Sequence, residues 1–142
     1  MATIKQLLDD KGREVLTIGP DDTVFDAIKK MADNSVGSLV VLEGEKLVGI
    51  ITERHYARNV FLKGRSSPKT TVVEIMSTRV VCALPEQSVE ECMAVMTDKA
   101  VRHLPVLENK QVIGIISIGD LVKNIISEQK FTIEQLEHYI SG

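Results

Sequence analysis

Apolar residues recur along this chain at two spacings, and the two spacings alternate in the same order twice. Val24, Ile28 and Met31 lie at helical spacing, as do Val89, Met93 and Met96, so each segment predicts a helix with one buried face. Each is opened by a capping-box pattern, Thr23…Asp26 and Ser88…Glu91. A short β-type run precedes each helix and ends at a proline turn: Val15–Ile18 before Pro20, and Val80–Ala83 before Pro85. Two apolar runs around a tight polar turn follow, Ser38–Leu42 with Lys46–Thr52 and His103–Leu107 with Gln111–Ser117. Their turns hold Gly44 and Asn109, residues that accept a positive φ. A second helix closes each unit, over Glu53–Phe61 and Ile118–Ser127. The predicted order is β-α-β-β-α, twice.

The two units are copies. A shift of 65 residues lays residues 15–61 on residues 80–126 without a gap, and fourteen of the 47 pairs are identical, Gly49-Ile50-Ile51 on Gly114-Ile115-Ile116 among them. One unit of this size buries too little surface to fold alone. The expected fold is therefore α/β (α+β), two repeats packed about a pseudo-two-fold axis, with clefts along the seam where ligands commonly bind. Short helices are expected ahead of each copy, at Thr3–Leu8 and Val72–Met76, with a polar connector, Leu62–Thr71, between the copies. A last helix is expected over Thr132–Ile140, capped by Thr132 and striped with Ile133, Leu136 and Ile140. This divides the chain into 1–71, 72–127 and a tail at 128–142 within one compact module.

Composition narrows the function more than the fold. The content is 44% hydrophobic and 26% charged over 142 residues, with a net charge of −3. This is ordinary for a soluble domain and weighs against a general nucleic-acid binder. No apolar run reaches the ~18 residues that span a membrane, and Met1–Asp10 has no signal-peptide core. Cys82 and Cys92 form no framework, and Cys92 falls on a buried helix face, so a reducing, cytoplasmic setting is expected. The three histidines lack ligand spacing, and no phosphate-loop, dinucleotide or nucleophile-elbow motif occurs. Neither a metal nor a catalytic residue is expected, and no cofactor is required.

The candidate chemistry sits where the second helices begin. In Gly114-Ile115-Ile116-Ser117-Ile118-Gly119-Asp120 a carboxylate and a hydroxyl meet at a helix start, the pattern of a plain capping box. The first copy reads Thr52-Glu53-Arg54-His55, with imidazole in place of that carboxylate. A basic stretch follows: Arg54, Arg58, Lys63, Arg65 and Lys69, with Ser66 and Ser67 among them.

These motifs, together with Leu104-Pro105-Val106-Leu107 and the repeat itself, resemble a tandem pair of CBS domains over residues 3–127. The flanking helices look like those of small stand-alone bacterial CBS-pair proteins. The resemblance implies a dimeric, non-catalytic regulatory module that binds an adenosine-containing ligand: AMP, ADP, ATP, NAD or S-adenosylmethionine. It implies that Asp120 and Ser117 hold the ribose, and that Arg13, Val15, Leu16, Val36 and Gly37 frame the adenine. Phosphate contacts are expected from Arg102, His103, Arg54, Arg58, Arg65 and Ser66. A second, weaker cleft is expected at Thr52, His55, Val81 and Val101. The implied partners are a second copy and an effector protein acting in trans. Two rival readings stand beside this one: a scaffold with degenerate clefts, and a nucleic-acid contact through the basic stretch.

Overall fold

The computed structural model of the chain describes the backbone of residues 2–141 and the side chains of residues 2–138. Thr3 caps α1 (Ile4–Lys11), which Gly12 ends at φ 105°. Then come β1 (Thr17–Ile18), α2 (Val24–Asn34), β2 (Ser38–Glu43), β3 (Lys46–Thr52) and α3 (Glu53–Tyr56), the last continued by a π-helical turn over Ala57–Phe61. The second half runs α4 (Val72–Ile75), α5 (Val89–Lys99), β4 (His103–Glu108), β5 (Gln111–Ser117) and α6 (Ile118–Ser141). The predicted hairpins form, and each carries the same irregularity, at Val41/Leu42 and at Val106/Leu107. The two sheets meet at β3 and β5.

Two expectations are corrected. The run Val80–Ala83 is not a strand; only Ala83 bridges Val106. In the first copy the Val40 N–H donates to the Leu16 carbonyl at 3.2 Å. The matching residue in the second copy is Pro105, which has no N–H to donate, so the ladder shrinks to one bridge. The two helices expected at 118–127 and 132–140 are one continuous helix, α6. Thr132 does not cap it, since its hydroxyl donates to the Glu128 carbonyl at 3.0 Å within the helix. In the first copy Gly64, at φ 66°, reverses the chain after Phe61. Its counterpart is Gln129, a good helix former, and nothing halts the second copy there. Ile140 of the expected stripe lies outside the described side chains.

The core places the lead-in helices crosswise. Ile4, Leu7 and Leu8 of α1 are buried with Val89, Cys92, Met96, Leu104, Val106, Ile116 and Leu121 of the second copy. Val72 and Ile75 of α4 are buried with Val24, Met31, Leu39, Val41, Ile51 and Val60 of the first. Each repeat thus completes its core with the helix that precedes the other. Isolated bridges pin the crossings, Thr3 to Ser88 and Thr71 to Thr23. An eight-residue helix has little stability of its own; α1 is held by burying Ile4 and Leu8, each worth about 1.5–3 kcal/mol.

Close approach at these crossings accounts for the one glycine pair that the repeats share, Gly49 and Gly114. A Cβ on Gly114 would sit 2.7 Å from Leu8 Cδ2, and one on Gly49 would sit 2.9 Å from the Ser77 carbonyl oxygen and 2.6 Å from Met76 Sδ. Gly49→Ala is therefore expected to cost about 1–3 kcal/mol through overpacking, since the Ser77 backbone cannot swing away. Leu8→Ala is expected to cost about 2–5 kcal/mol, as for a core residue. Thermal denaturation monitored by circular dichroism checks both. A Leu8→Ala melting point equal to that of the native chain would mean that α1 is not part of the second repeat's core.

Candidate functional site

The seam between the copies holds two cavities, of about 550 Å³ and about 230 Å³. Gly37 and His103 line both of them. Each cavity is entered by the end of one crossed lead-in segment. At an offset of 68, Thr3–Lys11 lies on Thr71–Arg79, so Lys11 matches Arg79. Lys11 lines the larger cavity and Arg79 the smaller. The three residues by which this offset exceeds 65 are Gly12, Arg13 and Glu14, and all three line the larger cavity.

In the larger cavity Ser117 and Asp120 close a reciprocal pair. The Ser117 N–H donates to Asp120 Oδ2 at 2.8 Å, and the Asp120 N–H donates to Ser117 Oγ at 3.2 Å. Lys11 Nζ donates to the same Asp120 Oδ2 and to the Ile115 carbonyl, both at 2.6 Å. Burial alone would raise the Asp120 carboxyl, but the hydrogen bonds from Lys11 and Ser117 together hold it below the usual value. Asp120 Oδ1 makes no hydrogen bond among the described residues. The cavity thus presents a fixed carboxylate with one oxygen engaged and one free, beside an ammonium. It does both jobs read from the motif: it caps α6 and faces a cavity.

The other residues singled out in the sequence divide between the two cavities. Arg13, Leu16, Val36, Gly37 and His103 line the larger one. Thr52, His55, Val81 and Val101 line the smaller, together with Arg54, Arg102 and His103. Val15, Arg58, Arg65 and Ser66 line neither. The chain after α3 turns away at Gly64 and is tied back by the Arg65 N–H to the Val60 carbonyl, which carries the basic connector off the seam. Arg54 and Arg102, expected as phosphate contacts beside Asp120, belong instead to the smaller cavity. Sequence reading missed Lys11, Asn34, Ser35 and Ser38 in the larger cavity, and Arg79 in the smaller. The signal that would have found Lys11 and Arg79 is the second offset, which only the crossed packing makes meaningful.

The family model described as "CBS domain" matches twice, at residues 8–61 and 72–127. A CBS domain-containing protein of Arabidopsis thaliana named CBSX3, mitochondrial, is 40% identical over 99% of this chain and 72% of its own length. A solved structure of a signal-transduction type protein with CBS domains from Burkholderia ambifaria is 50% identical, with a TM-score of 0.87 over 90% of this chain and 96% of that one. The CBS domain pair of protein MJ0100, solved in complex with 5′-methylthioadenosine and S-adenosylmethionine, superposes with a TM-score of 0.80 over 90% of this chain and 98% of that one. At 22% identity it shows the fold alone. Among the described residues no helix is long and apolar enough to cross a membrane, and no cluster of three or more His, Cys, Asp or Glu could hold a metal ion.

The two seam histidines titrate low. Burial lowers the His103 pKa, and Lys11 lowers it further against the opposing pull of Asp120. Burial, then Arg54 and Arg58, lowers that of His55. Both imidazoles are neutral in the fold at pH 7, and the unfolded chain binds more protons below about 6.5. Their contribution to stability is full above that value and is lost as pH falls through the folded pKa values. Melting temperature is expected to hold from pH 8 to 7 and to drop between pH 6.5 and 5. The double variant His55→Gln with His103→Gln should flatten that drop, and an unchanged slope would show that other groups carry it.

Proposed function

Since the chain belongs to the CBS-domain family and carries two CBS domains in tandem, we propose that it is a non-catalytic ligand sensor whose larger cleft binds an adenosine-containing molecule. The observation that carries the reading is the Asp120 carboxylate: buried to a fifth exposure, anchored through Oδ2 and open at Oδ1, at the wall of a 550 Å³ cavity. A cis-diol offers two O–H donors, and a fixed carboxylate with a free oxygen accepts from them. The volume falls within the usual range for small-molecule sites. Adenine would lie toward Leu16, Val36 and Gly37, where backbone groups read its edge, while Lys11 and His103 face the phosphates. The ligands bound by the MJ0100 pair, both adenosine derivatives, support the same class of molecule.

The cleft takes Val36 and Gly37 from the first repeat and Ser117 and Asp120 from the second. A ligand there spans both copies and favours whichever arrangement it binds better, by no more than that difference in affinity. The readout we propose is in trans, to a second copy and to an effector protein. The exposed apolar positions Val122, Ile126, Ile133 and Leu136 on α6 support a surface for that copy. Two free thiols, with Cys92 pushed up to about 11 by burial and by Glu91, fit a reducing compartment such as the cytoplasm.

The test is thermal stability with AMP, ADP, ATP, NAD, S-adenosylmethionine and 5′-methylthioadenosine, for the native chain and for Asp120→Ala. A ligand at 100 times its Kd stabilises by about 2.7 kcal/mol, which for a chain of this size raises Tm by about 5–10 °C. A shift of that order with one adenosine compound, lost in Asp120→Ala, is expected. No shift with any of the six, in a chain that melts cooperatively, would leave Asp120 as a helix cap and favour a scaffold with empty clefts.

A further inference from the structure

The smaller cavity inverts the hydrogen-bond polarity of the larger one. By the repeat, His55 stands where Asp120 stands, and by the lead-in offset Arg79 stands where Lys11 stands. In the larger cavity the cation is neutralised by the acid at 2.6 Å. In the smaller one Arg79 and His55 line the same cavity, and Arg79 has no carboxylate partner among the described residues. His55 Nδ1 accepts the Thr52 N–H at 3.1 Å, so the ring's proton resides on Nε2, which is a donor. Thr52 Oγ1 accepts the His55 N–H at 3.2 Å, which leaves its own O–H to donate. The position that accepts hydrogen bonds in one cleft therefore donates them in the other.

Charge follows the same inversion. Arg54, Arg79 and Arg102 line the smaller cavity against a single carboxylate, Glu53. None of the three arginines enters an ion pair among the described residues. The larger cavity, by contrast, sets Lys11 and Arg13 against Glu14 and Asp120. At about 230 Å³ the smaller cavity falls below the usual range for drug-sized ligands and suits a group smaller than a nucleoside. Guanidinium groups bind phosphate oxygens bidentately, which suits them to a chain of phosphates.

We infer that the smaller cleft is an oxyanion site that needs no diol and takes a di- or triphosphate chain. His55, which costs this cleft a ribose anchor, supplies the donor that an anion requires. The chain comes either from free inorganic polyphosphate or from the tail of a nucleotide seated in the larger cleft, since Gly37 and His103 wall both cavities. The inference about the smaller cleft stands whether or not the larger one binds adenosine.

Isothermal titration of the full chain with sodium tripolyphosphate, at about 0.15 M salt where unspecific surface attraction is largely screened, tests it. The native chain is expected to bind one equivalent. Arg79→Ser and His55→Asp are each expected to weaken binding roughly tenfold or more, because each removes a charge-assisted or donor contact and the second adds a repelling carboxylate. Arg79 is exposed, so its loss leaves the fold intact even where His55→Asp perturbs the Thr52 cap. Lys46→Ser, which removes an equal charge on the exposed edge of β3, is expected to change the affinity less than about twofold. Two findings would each overturn the site: no heat up to millimolar tripolyphosphate, or equal affinity in the native, Arg79→Ser and His55→Asp proteins. Separate titrations with adenosine read the larger cleft alone, so failure there is distinguishable from failure here. If ATP competes with tripolyphosphate, the nucleotide tail is the source; if both bind together, the free anion is. Either result keeps the site.

Discussion

The architecture rests on the crossing of two short helices. α1 contributes Ile4, Leu7 and Leu8 to the second repeat, and α4 contributes Val72 and Ile75 to the first. Without the exchange each repeat would expose one face of its core, and each lead-in helix would be too short to persist. The exchange makes the pair a single unit, and it explains the small side-chain requirement at Gly49 and Gly114, the two places where a crossed segment runs against a strand. It also delivers chemistry. Each crossed lead-in segment ends at the seam, so Lys11 at the end of α1 and Arg79, four residues beyond α4, are carried into the clefts.

The repeat sets two equivalent positions, and they differ in one residue, Asp120 against His55. Asp120 is held as a carboxylate by hydrogen bonds that outweigh the cost of its burial. His55 is held as a neutral ring because burial and two arginines oppose its protonation. Both are locked by the same reciprocal bonding with the hydroxyl residue that ends the preceding strand. The scaffold is common and the polarity opposite, so one cleft suits a diol while the other suits an anion. Gly12, Arg13 and Glu14, present only ahead of the first copy, line the larger cavity and add to the asymmetry.

Much of this was legible in the chain. Hydrophobic spacing located both hairpins and both amphipathic helices, because a half-buried element writes its period into its own residues. The motif at Ser117…Asp120 and its altered twin at Thr52…His55 pointed to the cavity walls. Three things were hidden. Pro105 removes a donor from a strand pairing twenty-odd residues away, so Val80–Ala83 reads as a strand and folds as a single bridge. The end of α6 depends on the absence of a stop at Gln129, where Gly64 supplies one in the first copy, and an absence is easily overlooked. The placement of Lys11 and Arg79 is purely tertiary. Their segments align at an offset of 68, which looks unrelated to the repeat at 65 until the crossing is seen.

The two clefts also differ in what they can move. Asp120 lies in the first turn of α6, a helix of 24 residues and about 36 Å in length. His55 lies in α3, which keeps α-helical form for four residues, passes into a π-turn and stops before Gly64. A continuous helix transmits a shift at one end to the other as a nearly rigid body, whereas a broken one absorbs it locally. A ligand bound at Asp120, as proposed, would therefore act on a long rod. Leu121 is fully buried at the base of that rod, while Phe131, Ile133 and Leu136 are more than half exposed toward its far end. An anion bound at His55 would act on a turn that ends within a few residues. On the proposed reading the larger cleft would be the one joined to an output, and Gly37 and His103, which line both cavities, would be where the smaller cleft adjoins it. A duplicated site in which one copy keeps the lever and the other keeps the charge can report on two chemical groups through one moving part.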